Sequence, residues 1–171
     1  MALVALTEED GSWQRLKADW RRQCEAFNED FDSYGLATFS VLDPLAAEGH
    51  PKTDVYGFFV REECQMICET NRTMLPGYDG HVLRVRNMTF APKYDFEDQP
   101  LDSYGSALVG LFGGVVGLSD SALAPARHIK FHLRSPADRT FFQALCTPLL
   151  RIPIFDTAEV KGAWLYVTKK Q

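Results

Sequence analysis

Two short segments of this 171-residue sequence concentrate the side chains that could do chemistry: Arg84 and Arg86 on one, and His128, Lys130, His132 and Arg134 on the other. In the second, Ile129, Phe131 and Leu133 alternate with the polar residues, a period of two that predicts a strand. Residues four apart on a strand stand roughly 13 Å from each other, so His128 and His132 cannot clasp one metal ion together. The same spacing removes Cys64 and Cys68 as a metal pair. If the two segments are neighbouring strands, their basic groups gather on one side of a sheet. Such a face can grip a carboxylate or phosphate, for which arginine is well shaped. It can equally be balanced by acidic helix residues or solvated at a strand end.

Other chemistry is excluded by what the sequence lacks. It holds no paired CxxC motifs, no HExxH, no P-loop, no GxSxG elbow and no GxGxxG behind a strand. Cys24, Cys64, Cys68 and Cys146 follow no disulfide-framework spacing, which predicts reduced thiols and a cytoplasmic location. Eighteen basic against 23 acidic side chains leave a net charge of −5, so nothing in the overall field recruits nucleic acid or anionic lipid. The longest weakly polar run, Ala107 to Leu118, contains four glycines and falls short of the roughly 20 residues a membrane span needs. Met1–Leu6 lacks a basic start and reaches acids by Glu8, which argues against a signal peptide. With 46% hydrophobic and 24% charged residues, the chain has the composition of one ordered domain spanning residues 1–171.

The elements that must position these side chains follow from periodicity. A helix is predicted from about Thr7 to Asn28, capped by Thr7 with Asp10 three residues on, burying Trp13, Leu16, Trp20, Cys24 and Phe27. The core is expected over about 36–170. Extended segments are predicted at Leu36–Leu42, Val55–Arg61, Gln65–Met74 and His81–Phe90, with a turn-rich loop at Asp43–Asp54 and a hairpin joining the second and third. Along His81–Phe90 the apolar residues change parity between Val85 and Met88. Either a one-residue bulge near Arg86–Met88 restores a continuous face, or the strand is buried on both faces near its end. After an acidic loop, Lys93–Leu101, a helix is predicted over Ser103 to about Ser119. Its four interior glycines each cost about 1 kcal/mol and call for close approach to a sheet or a ligand. The strand His128–Arg134 precedes a helix opened by Ser135, Pro136 and Asp138 as N-cap, first-turn proline and acid. Phe141, Phe142, Leu145 and Leu149 are its expected inward face. A final interior strand is predicted at Val160–Thr168. Strand–helix–strand crossovers and hairpins together define a mixed α/β (α+β) sheet with helices on both faces.

This order resembles the GNAT-type N-acyltransferase superfamily over about Val55 to Lys170. Met88-Thr89-Phe90-Ala91-Pro92 is similar to that family's central strand ending in proline, and Asp102-Ser103-Tyr104-Gly105-Ser106-Ala107 to its phosphate loop, Gln/Arg-x-x-Gly-x-Gly/Ala. Ser135, Asp138, Phe141, Phe142 and Leu145 follow the spacing of the later pattern Asn-x-x-Ala-x-x-Phe-Tyr-x-x-Leu-Gly, and Trp164–Lys169 is similar to the closing strand. Asp102 stands in the place of the family's Gln or Arg, with Asp95, Glu97 and Asp98 nearby, and Phe142 stands in the place of its tyrosine acid. A phenyl ring donates no proton. Asp30-Phe31-Asp32 and Glu69–Pro76 also resemble, more faintly, the acyl-homoserine-lactone synthases, which draw acyl chains from a carrier protein.

The resemblance implies a centrally splayed sheet, a GNAT-like acyl-CoA N-acyltransferase fold, and transfer of an acyl group from an acyl thioester to a small amine-bearing acceptor. Acyl-CoA would be a co-substrate rather than a tightly bound cofactor. It would lie along Met88, Thr89 and Phe90, its diphosphate on Ser103, Tyr104, Gly105, Ser106 and Ala107. Arg84 and Arg86 would orient the acceptor, with His128 or His132 as base. The missing tyrosine and the acidic loop keep a second reading open, a catalytically silent member that binds a ligand or partner. A small-molecule substrate is the expected partner, with neither nucleic acid nor membrane; a homodimer is compatible with the sequence, and no metal is expected.

Overall fold

Alternating and helical periods settle into twelve elements in the computed structural model, which describes residues 1–48 and 53–170. In order these are β1 (Ala2–Ala5), α1 (Ser12–Ala26), α2 (Phe31–Glu48), β2 (Thr53–Val60), β3 (Glu63–Met74) and β4 (His81–Phe90), then α3 (Lys93–Phe96), α4 (Leu101–Asp120), β5 (His128–His132), α5 (Pro136–Leu149), β6 (Phe155–Lys161) and β7 (Trp164–Lys169). The strands form one mixed sheet in the order β1-β2-β3-β4-β5-β7-β6, with β4 and β5 parallel. The chain clusters into two compact units, Met1–Glu69 with Thr89–Gly114, and Thr70–Met88 with Val115–Gln171.

In the first unit, α1 buries Trp13, Leu16, Trp20 and Cys24 as their spacing requires, whereas Phe27, expected on the same face, is the C-cap past Ala26 and is exposed. It opens at Ser12 rather than Thr7, however, because Thr7 and Asp10 bond each other in a preceding turn and Gly11 takes the left-handed N-cap position. The larger correction is α2. Leu36–Leu42 is helical, not extended, and the helix runs on through Pro44, so residues 43–48 of the expected loop belong to it; residues 49–52 of that loop lie outside the described residues. Asp30 starts the turn, accepting from the Ser33 amide at 2.8 Å. Buried Phe31, Thr38, Phe39, Leu42 and Ala46 then recur at helical spacing. Phe39 packs against Trp13 (5.4 Å between ring centroids), Trp20 (6.0 Å) and Phe31 (5.1 Å). That packing outweighs both the β-propensity of the Leu36–Leu42 run and a proline penalty of about 3 kcal/mol. β1, which the sequence did not suggest, pairs antiparallel with β2 from Ala2↔Phe59 to Ala5↔Tyr56.

By length and composition α4 could cross a membrane, with a mean hydropathy of 1.3 over its best window. Its apolar residues nevertheless serve the core: Ala107, Leu108, Leu111 and Phe112 are buried. Two of its glycines have the packing reason expected of them. A Cβ on Gly110 would overlap the Phe58 ring, and one on Gly114 would meet Leu3 at 3.0 Å, whereas Gly113 faces open space.

In the second unit, the ladder between β5 and β7 aligns Ile129 with Val167 and Phe131 with Leu165 on one face. α5 covers that face through Phe142, Cys146 and Leu149. Its start is as predicted: Ser135 accepts from the Asp138 amide at 2.9 Å and Asp138 returns the bond at 3.2 Å. The single strand expected at Val160–Thr168 is instead a hairpin of β6 and β7. Gly162, at φ 59, supplies the tight turn between Lys161 and Trp164. β7 lies between β5 and β6, so the expectation of an interior strand holds for that half.

Candidate functional site

The irregularity expected in β4 falls on Asn87, whose backbone has φ 50. A non-glycine residue in the left-handed region breaks the regular alternation of a strand, and asparagine tolerates it best. The parallel ladder joins Val82↔His128, Leu83↔Ile129, Arg84↔Lys130 and Val85↔Phe131; β4 then continues to Phe90. The ladder therefore ends one residue before Arg86, beside the kink.

The second unit holds Arg84, Arg86, Met88, His128 and His132. Register places Val82, His128 and Thr168 on one sheet face with Arg84, Lys130 and Tyr166, and then His132 with Trp164. Arg84 does not project freely: its Nη2 donates to Asn71 Oδ1 at 2.9 Å. His128 is buried at 7% exposure and fixed at both ring nitrogens, Nε2 to Asp79 Oδ1 at 2.5 Å and Nδ1 to Thr168 Oγ1 at 3.1 Å. The Tyr78 ring meets it edge-on at 4.9 Å. Asp79 also pairs with Arg127, and the His128 bond above all, with that guanidinium, holds its carboxyl below the usual range. His132 is half-buried and rests on Trp164 with ring centroids 4.7 Å apart. Phe142, in the place of the family's tyrosine, is 1% exposed and stacks on Phe131 at 5.9 Å, a core position.

Thr89, Phe90 and the segment Ser103–Ala107 lie in the first unit. The Phe90 ring contacts Tyr94 at 5.0 Å and Tyr104 at 5.4 Å, so strand end and helix start do meet. Tyr104 also donates its hydroxyl to the Tyr94 carbonyl. The Phe90 carbonyl accepts from the Tyr34 hydroxyl at 2.9 Å, and Thr89 Oγ1 bonds Thr38 Oγ1 at 3.0 Å. Burial, then the Asp95 carboxylate beside it, pushes the Tyr34 phenol far up. α4 opens at Leu101, and the Ser103 amide already donates to the Pro100 carbonyl at 2.8 Å. The amides of Gly105, Ser106 and Ala107 thus lie past the orphan first turn of the helix. Asp102, Ser103, Ser106 and Ala107 line a hollow of about 300 Å³ with Gln65 and Tyr94. Among the described residues, none of Asp95, Glu97, Asp98 and Asp102 has a cationic partner. Lys93, the basic residue within that loop, pairs with Glu63 at 2.7 Å instead.

Asp79, Trp164 and Tyr166 were not legible as members of this polar face. Asp79 reads only as part of a turn. The period-two pattern Trp164, Tyr166, Thr168 was visible, but a strand with apolar residues on both faces does not show which face stays open. Among the described residues, no group of three His, Cys, Asp or Glu side chains could hold a metal ion.

Neither protein-family models nor curated proteins match the sequence. Solved structures do. A probable acetyltransferase from Staphylococcus epidermidis ATCC 12228 superposes with a TM-score of 0.54 at 11% identity, covering 98% of each chain. Another probable acetyltransferase gives 0.52 at 12% identity, covering 85% of this chain and 88% of its own. FeeM, an N-acyl amino acid synthase from uncultured soil microbes, gives 0.42 at 11% identity, covering 99% and 93%. The chain has the fold of the first two, a mixed α/β fold consistent with the GNAT-like one that its motif order resembles.

Proposed function

We propose that this protein moves an acyl group from an acyl thioester, such as acyl-CoA, to a small amine. The observation that carries this reading is the end of the β4–β5 ladder at Val85↔Phe131 beside the left-handed Asn87, within a fold of acetyltransferases. Strand backbone beyond that point would hold the thioester arm and polarise its carbonyl, as oxyanion-type donors do. The amine nitrogen would attack the carbonyl carbon; the C–N bond forms, the C–S bond breaks, and the thiolate leaves. A base must take the amine proton. His132 suits that role better than His128, both of whose ring nitrogens are engaged. Arg84 and Arg86 would steer an acidic acceptor, and Met88, Thr89 and Phe90 would carry the donor. The amine is expected to be a soluble metabolite in the cytoplasm.

One observation favours a second reading, a silent binding protein. Among the described residues, four carboxylates without cationic partners precede or open α4, where a coenzyme A diphosphate would sit, and like charges repel there.

Calorimetry with acetyl-CoA and longer acyl-CoAs tests both. Binding at micromolar concentration with thioester turnover across an amine panel is expected. Binding without turnover would leave the silent reading, and no binding at millimolar ligand would end the coenzyme-dependent one.

A further inference from the structure

The face of β5 and β7 that carries the histidines holds a set of hydrogen-bonding tips that the fold itself does not use. Lys130 lies opposite Tyr166, and His132 opposite Trp164. The Lys130 Nζ stands over both rings, 4.7 Å from the Trp164 centroid and 4.6 Å from that of Tyr166. Among the described residues, Lys130 has no carboxylate partner, and His132, the Trp164 indole N–H and the Tyr166 hydroxyl make no hydrogen bond. All four side chains are half-buried, so they are partly withdrawn from water while, among the described residues, no protein hydrogen-bond partner takes its place. The acid on this face of β6, Glu159, is taken by Lys161 at 2.6 Å. The opposite face is filled by Phe131, Leu165 and Val167 under α5, so these tips are not surplus core.

We propose that this aromatic-floored patch is the acceptor subsite, and that it takes the carboxylate of a free amino acid; this rests on the acyltransferase reading above. An ammonium held over two rings is a compact single charge with spare donors, matched to a small monoanion. The indole N–H and the phenol add donors at its sides. Both tips meet the same indole: the Lys130 Nζ is 4.7 Å from the Trp164 ring centroid, and the His132 ring centroid is 4.7 Å from it. One small molecule on that ring can set its carboxylate on Lys130 and an amine one or two carbons away at His132. The grip itself therefore falls on Lys130, while Arg84, its ladder neighbour bonded to Asn71 through Nη2, is left to steer the acid towards it.

Trp164 reports on the patch directly, since Trp13 and Trp20 are fully buried. L-Leucine and L-phenylalanine are titrated by tryptophan fluorescence against their methyl esters, with phosphoethanolamine as a phosphate-bearing arm and Trp164→Phe to assign the signal. The free acids are expected to bind at least tenfold tighter than the esters. Lys130→Met should abolish that discrimination at an unchanged thermal midpoint, and Lys130→Arg should keep it. Equal affinity for acid and ester, discrimination surviving in Lys130→Met, or tighter binding of phosphoethanolamine would overturn the assignment. The titration needs no acyl donor. Intact discrimination without any acyl-CoA binding would therefore sink the transferase reading alone, whereas acyl transfer indifferent to the carboxylate would sink the subsite alone.

Discussion

Asp79 Oδ1 lies 2.5 Å from His128 Nε2, while Thr168 holds the other ring nitrogen, so a turn residue and a strand residue far apart in sequence are joined at a buried imidazole. One of the two side chains that the sequence offers as a base is thereby committed to holding the turn before β4 against β5.

That commitment gives a prediction in pH. The Asp79 carboxyl is held below its usual range, chiefly by His128 and further by Arg127. A depressed carboxyl contributes stability that is present above its unfolded pKa of about 3.9 and is lost as pH falls through the folded value. The fall in thermal midpoint below about pH 4 should be shallower in Asp79→Asn than in the parent, though Asp10, Asp30 and Glu63, also depressed, will leave part of it. His128→Gln should lower the midpoint while changing kcat for acyl transfer less than about threefold. His132→Gln should do the reverse, with a loss of at least about a hundredfold, the usual contribution of a positioned base.

Gly110 and Gly113 should respond in opposite directions to alanine. A Cβ on Gly110 would overlap the Phe58 ring, which is itself 2% exposed in the core. Gly110→Ala should cost about 1–3 kcal/mol by overpacking. Gly113→Ala meets nothing within 4 Å and should gain up to about 1 kcal/mol of helix propensity. Urea denaturation of the two variants reads the difference.

Trp13 and Trp20 are equally buried but not equally satisfied. The Trp13 indole donates to Asp43 Oδ1 at 2.7 Å, whereas the Trp20 indole nitrogen has no acceptor among the described residues. Both phenylalanine variants lose volume, but only Trp13→Phe loses a bond to a charged group. It should be the more destabilising by about 1–2 kcal/mol in denaturant titrations.

All four cysteines are buried and free, and burial raises each thiol, Cys68 to about 12 with the Glu69 carboxylate adding to it. A thiol reagent at pH 8 should therefore label none of them in the folded protein and all of them in denaturant, since the thiolate is the reactive form. Rapid labelling of Cys64 or Cys68 in the native state would contradict their placement in β3.

Local backbone decisions were written in adjacent residues. The box at Ser135 and Asp138, the alternation of His128–His132 and the parity change that lands on Asn87 each need only a few neighbours. The order of elements and motifs carried the resemblance to the fold that the two probable acetyltransferases share. Decisions that depend on distant partners were not legible. Leu36–Leu42 has strand composition, and only the packing of Phe39 among Trp13, Trp20 and Phe31 makes it helical. His128 looks free until the sheet brings Asp79 and Thr168 to its two nitrogens. Likewise, Trp164 and Tyr166 are merely the aromatic half of a strand until register sets them opposite His132 and Lys130. Side-chain chemistry is a property of the residue, but which groups face each other is fixed by strand pairing across the sheet, and that pairing exists only once the chain has folded.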